Sequence, residues 1–281
     1  MPQIQIRCPS CHKIGIIEIE DNALKSITRG LLAVYVKANT ICEHSFVTYI
    51  DKNLKIRDYF IADFLIEIPE KVPFGKLEEE KIPESEMINL NLIKLNLPAI
   101  LITLVIKSIF LKKKIVLIFE EEFLYNHILN FFNYITLDLF EIDISIISNE
   151  QYKDNSKIYK DFMVFNGNEI VKNVNKSINL KKLAVEKQIV QNFFSEVDME
   201  SSLILLRNDI QKAYILSKAI VDIIKNQRKD EKINILKISK ELEDEYQIKL
   251  SNKYLAFLIE IVKNYFDIDV PSLSQSFLNS I

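Results

Sequence analysis

Tryptophan is absent from the 281 residues, and glycine occurs only at Gly15, Gly30, Gly75 and Gly167. No two glycines lie close enough to build a phosphate cradle, so neither G-x-x-x-x-G-K-[ST] nor G-x-G-x-x-G is present. Three cysteines are too few for a disulfide-rich secreted scaffold. Arginine appears only at Arg7, Arg29, Arg57, Arg207 and Arg228, in a chain of net charge -3. Base and phosphate recognition lean on arginine forks and a surplus of cations, so this scarcity argues against a nucleic-acid partner. Histidine is confined to His12, His44 and His127. No nucleophile–base constellation can be assembled from them, which points away from an enzyme.

Long apolar runs are missing too. The longest, Leu97 to Leu111, is interrupted by Pro98 and Lys107, and a membrane-spanning helix needs about 20 apolar residues. It reads as a buried helix leading into a buried strand at Ile115 to Phe119. The start, Met1-Pro2-Gln3-Ile4-Gln5-Ile6-Arg7, has no apolar signal core. The expectation is a cytoplasmic protein with reduced thiols and no membrane span.

What is present supports a sizeable core: 48% of the residues are hydrophobic. The pattern predicts a multidomain chain of mixed α+β and α/β class. Residues 1–68 read as a small antiparallel β module, with strands at Ile16–Glu20, Leu31–Val36, Ser45–Ile50 and Leu54–Phe60. Phe46, Thr48 and Ile50 would share one face of their strand, and Val47 and Tyr49 the other. Residues 69–97 read as a linker, with Pro69, Pro73, Pro83 and the acidic stretch Glu78–Glu86. Residues 98–178 read as a small parallel three-stranded α/β unit, like half of a doubly wound fold. Its helices are Pro98–Leu111 and Phe123–Thr136, and its strands Ile115–Phe119, Ile142–Ile147 and Phe162–Phe165. Residues 179–270 read as helical, in segments 180–194, 199–227, 235–246 and 251–266, and 271–281 as a loose tail.

The chemistry concentrates near the amino terminus. All three cysteines and two of the three histidines fall within the first 44 residues: Cys8-Pro9-Ser10-Cys11-His12 and Cys42-Glu43-His44. A C-P-x-C turn points two sulfurs to one side. Cys42 and His44 are two apart, so an extended backbone places both on one face. Cys8, Cys11, Cys42 and His44 suit a tetrahedral structural zinc with no open position, with His12 as the alternative fourth ligand. A module of this size has a thin core and gains from such a staple.

On these residues the N-terminal fifth of the chain resembles the zinc-ribbon class. The run Cys42-Glu43-His44-Ser45-Phe46 with Asp51-Lys52-Asn53 and Arg57 is similar to N-terminal modules of uncharacterised archaeal proteins. The resemblance implies a metal and a small fold, not an activity.

Two helical features bear on partners. Leu203, Leu206, Ile210, Ala213, Ser217, Ile220 and Ile224 follow a 3-4 spacing that could pair with a partner, with a second copy, or with neighbouring helices of the same chain. The segments 235–246 and 251–266, with Ser251 as a candidate N-cap, could form a helix-turn-helix, but Lys253, Glu260 and Lys263 make its face nearly neutral. The leading expectation is a non-enzymatic adaptor or regulatory protein that binds a protein partner. The alternatives are nucleic-acid binding through the zinc module and the terminal helices, or an enzyme with a ligand near Glu120 or Ser148 at the strand ends.

Overall fold

The computed structural model describes residues 2–19, 31–60, 88–196, 198–226 and 235–270. Two small antiparallel sheets come first. Strands β1 (Gln3–Arg7) and β2 (Ile14–Glu18) pair as a hairpin. Strands β3 (Leu32–Val36), β4 (Phe46–Ile50) and β5 (Ile56–Phe60) form a three-stranded sheet with β4 in the middle. β1 has no counterpart among the predicted strands, although its alternation is regular: Ile4 and Ile6 are buried, and Gln3, Gln5 and Arg7 are exposed.

The alternation along β4 serves two cores. Phe46 and Ile50 join Ile4, Ile6, Ile17 and Ile41 in a small N-terminal cluster. Val47 and Tyr49 face the other way, into the main core. All of β4 is therefore buried. Polar bonds tie the same strand to the rest of the chain. The Ala99 N–H donates to Tyr49 Oη at 2.7 Å, and Gln191 Nε2 donates to Ser45 Oγ at 3.0 Å. One carboxylate closes the turn between β4 and β5. Asp51 accepts from the Asn53 and Lys55 N–H groups and from the Arg57 guanidinium. The Lys55 N–H above all, then Arg57 and Asn53, holds the Asp51 carboxyl below the usual carboxylate range.

Helix α1 (Leu90–Asn96) lies inside the stretch that reads as linker. Asn89 caps it by accepting from the Leu92 N–H, and Leu90 and Ile93 are buried. The rest of that stretch, 69–87, lies outside the described residues, as does the tail at 271–281. Helix α2 (Ala99–Phe110) follows a corner at which the chain bends by 101°. Among the described residues no single helix is long and apolar enough to cross a membrane. α2 is buried nearly all round, Thr103, Lys107 and Ser108 included. The two hydroxyls donate to the Ala99 and Leu104 carbonyls one turn back, which satisfies them inside the core.

A third sheet comprises β6 (Ile115–Ile118), β7 (Ile144–Ile147), β8 (Met163–Asn166) and β9 (Glu169–Lys172), in the order β7-β6-β8-β9. The three predicted parallel strands are present, but the sheet is mixed, because β9 returns antiparallel to β8. Gly167, at φ 53°, supplies the left-handed residue that reverses the chain there. Helix α3 (Tyr125–Thr136) connects β6 to β7. Helix α4 (Asn149–Asn155) connects β7 to β8 and begins at a capping box of Ser148 and Gln151. Ile115, Leu117, Met163 and Phe165 face the main core. Val116, Ile118 and Val164 face a small cluster closed by Tyr152, Tyr159 and Phe162.

The remaining helices are α5 (Ala184–Ser195), α6 (Met199–Asn226), α7 (Ile235–Tyr246) and α8 (Asn252–Asn264). The helix expected from 180 starts late: a short 3-10 turn at Leu180–Lys182 ends at Leu183, and α5 begins after it. Of the predicted seam along α6, Leu203, Leu206, Ile210, Ala213, Ser217 and Ile220 are buried. Ile224 packs on the same core. Helices α3, α5, α7 and α8 cover them, so the seam is filled from within this chain.

Candidate metal centre

Cys8 follows directly on β1, and Cys11 stands three residues on, in a tight turn. Cys8 N–H donates to the Lys13 carbonyl at 2.9 Å, and His12 N–H donates to the Cys8 carbonyl at 3.0 Å. The second half of the centre lies on the loop between β3 and β4, where Asn39 N–H donates to the Cys42 carbonyl at 2.7 Å. The donor atoms of Cys8, Cys11, Cys42 and His44 all lie within 4.8 Å of one another. His44, rather than its alternative His12, is the imidazole of the group.

The four donors are close enough to converge on one ion, and the Cys42–His44 pair has the spacing of two ligands of a tetrahedral site. Sulfur at about 2.3 Å and nitrogen at about 2.0 Å from a tetrahedral centre stand roughly 3.5 Å apart. Cys42 Sγ and His44 Nδ1 are 3.6 Å apart. Three soft sulfurs and a borderline imidazole suit zinc better than a hard cation.

The electrostatics fit a cation as well. Burial alone would raise the Cys8 thiol, but the N–H groups of Cys11 and Ser10 aim at its sulfur and hold it below the usual value. The Ser10 N–H lies 3.4 Å from it. Burial, with the neighbouring Cys8 and Cys11 sulfurs, pushes the Cys42 thiol up to about 11. A divalent ion at the centre of the group removes that repulsion and takes all three as thiolates.

Gly15 makes the loop fit the strand. A Cβ built there would stand 2.6 Å from Ile41 Cγ1, and Ile41 immediately precedes Cys42. Gly15→Ala is therefore expected to push the Cys42 loop outward and to destabilise the N-terminal sheets by about 1–3 kcal/mol. Thermal melting followed by near-ultraviolet circular dichroism checks it, and an unchanged midpoint contradicts it.

The other residues singled out have structural partners. Glu120 Oε1 accepts the Asn149 N–H at 3.0 Å, and Ser148 caps α4, so both serve the fold. A crevice of about 260 Å3 does open at the strand ends, beside Asp58, Glu121 and Asn168. Asn168 Nδ2 donates to Asp58 Oδ2 at 3.0 Å across it. Both C-terminal helices, α7 and α8, are present, and Ser251 caps α8 by accepting from the Tyr254 N–H. Leu255, Leu258, Ile261 and Val262 of α8 are buried.

One constellation has no sequence signal at all. Lys107, inside the apolar run, donates to Glu186 Oε1 at 2.9 Å and to Glu260 Oε2 at 2.7 Å. The partners lie 79 and 153 positions away, so no local pattern joins them. Comparison of the chain with protein-family models, with curated proteins and with solved structures gave no match.

Proposed function

We propose that Cys8, Cys11, Cys42 and His44 hold one structural zinc ion in a zinc-ribbon-like module, and that the chain is a non-enzymatic adaptor or regulatory protein that binds a protein partner. The observation that carries the metal reading is the convergence of four donors within 4.8 Å. Four protein donors leave no coordination position for a substrate, which suits a structural rather than a catalytic ion.

Partner binding is supported by the outer face of the hairpin. Ile14 and Ile16 of β2 are 57% and 63% exposed. Their cross-strand neighbours are Arg7 and Gln5, and Gln3 pairs with Glu18. One cation and one anion give that face no field for a phosphate backbone, while two bare isoleucines offer an apolar anchor. The ion would stiffen the hairpin that presents them. The α6 seam is not the docking surface in this reading, since its residues are buried.

The test combines elemental analysis with light scattering and affinity capture. One zinc per chain is expected. Ile14→Glu with Ile16→Glu is expected to keep the zinc and to lose the captured partner or the second copy. A chain without zinc overturns the metal reading. A zinc-loaded strict monomer that captures nothing the double variant loses overturns the adaptor reading alone.

A further inference from the structure

A groove of about 560 Å3 runs between α8 and the segment that leads into α5. Its floor is apolar, built from Val185, Ala256, Phe257 and Ile259. Its rim carries Lys181, Lys182, Lys253 and Lys263. On α8 the lining residues are Lys253, Ala256, Glu260 and Lys263 with their apolar neighbours. The spacing of three, four and three places those four on one helical stripe about 15 Å long. Ala256 sits mid-stripe between two lysines, and its small side chain is what leaves the space open.

Charge decides the kind of occupant. The lining carboxylates are Glu186 and Glu260, and both are bound to the ammonium of Lys107 behind the wall. With Glu186 and Glu260 both engaged by Lys107, the rim lysines Lys181, Lys182 and Lys263 leave the mouth of the groove positive. Size decides the rest. The volume falls in the range of small-ligand sites, whereas a stable protein interface buries roughly 800 Å2 on each partner. No glycine-rich turn is available to wrap a nucleotide phosphate.

We infer that this groove binds a small amphiphilic anion of the medium-chain carboxylate class, its chain along the apolar floor of Val185, Ala256, Phe257 and Ile259 and its carboxylate among the rim lysines. The site is independent of the metal centre and of the exposed isoleucines.

Calorimetry with decanoate on the full zinc-loaded chain tests it. Saturable one-to-one binding is expected, with decyltrimethylammonium and a neutral decyl glucoside at least about tenfold weaker. Lys182→Glu with Lys263→Glu is expected to weaken decanoate about tenfold or more. Ala256→Trp is expected to abolish binding, and its indole, the sole tryptophan in the chain, reports by its emission that the variant is folded and the groove filled. No decanoate binding overturns the inference. So does equal affinity for the neutral amphiphile, or undiminished binding to a folded Ala256→Trp. Binding of an acidic peptide without decanoate overturns it in favour of a protein groove.

Discussion

Cys42→Ser is expected to reduce bound zinc from one per chain to none and to release the backbone protection of residues 2–19, while the helical core stays folded. The reason is the thinness of the small core. Its buried residues are Ile4, Ile6, Cys8, Ile17, Ile19, Val36, Ile41, Phe46 and Ile50, and one of these is itself a donor. Anything that binds only the folded state stabilises it by mass action, by about 4 kcal/mol when free ligand is a thousandfold above its Kd. For a cluster this small that is a large share of the total. The main core, from Val47 through Val270, shares no buried residue with this cluster, so it should hold. Hydrogen exchange read by mass spectrometry, on the variant and on wild type treated with a chelator, gives the answer. Exchange at residues 2–19 that ignores both treatments defeats the structural role of the ion.

That centre was legible in the sequence because its residue types are scarce. With three cysteines and three histidines in the whole chain, five of the six near the start stand out. The choice between His12 and His44 was not legible, since it depends on how the loop between β3 and β4 lies over the Cys8 turn. Long helices were readable from their period, and α6 runs over Met199–Asn226 close to expectation. The short elements α1, α4 and β9 escaped. Glu169-Ile170-Val171-Lys172 offers too few alternations to announce a strand, and pairing with β8 settles its state. The double duty of β4 is of the same kind. Its alternation told which residues share a face, with Phe46 and Ile50 on one side and Val47 and Tyr49 on the other. It could not tell that helices would cover the second face. The lysine-rimmed groove was hidden for a related reason: its walls come from residues 181–186 and 253–263, and only the fold places them together.

The Lys107 trio was the least legible feature, and it has the largest expected mutational effect on the main core. Side-chain exposure is 3% for Lys107 and 1% for Glu186, while Glu260 reaches solvent at 37%. Burial works against the Lys107 ammonium, but Glu186 and then Glu260 outweigh it and hold its pKa above the usual lysine value. Burial also pushes the Glu186 carboxyl up, more than Lys107 draws it down. Lys107→Met removes the cation and leaves Glu186 buried beside an apolar side chain. Breaking a buried pair in this way costs about 3–5 kcal/mol. The Lys107→Met, Glu186→Leu double variant should recover much of the loss, because no buried charge is left behind. The pH dependence gives an independent sign. A glutamate whose folded pKa lies above its unfolded value binds more protons in the native state, so stability falls as pH rises from the unfolded value toward the folded one. In Lys107→Met that folded value climbs further. Urea melts are therefore expected to show the single variant losing stability between acid and neutral pH relative to wild type, and the double variant losing none. A single variant with a flat profile and a cost below about 1 kcal/mol would mean that Glu186 reaches water when its partner is gone.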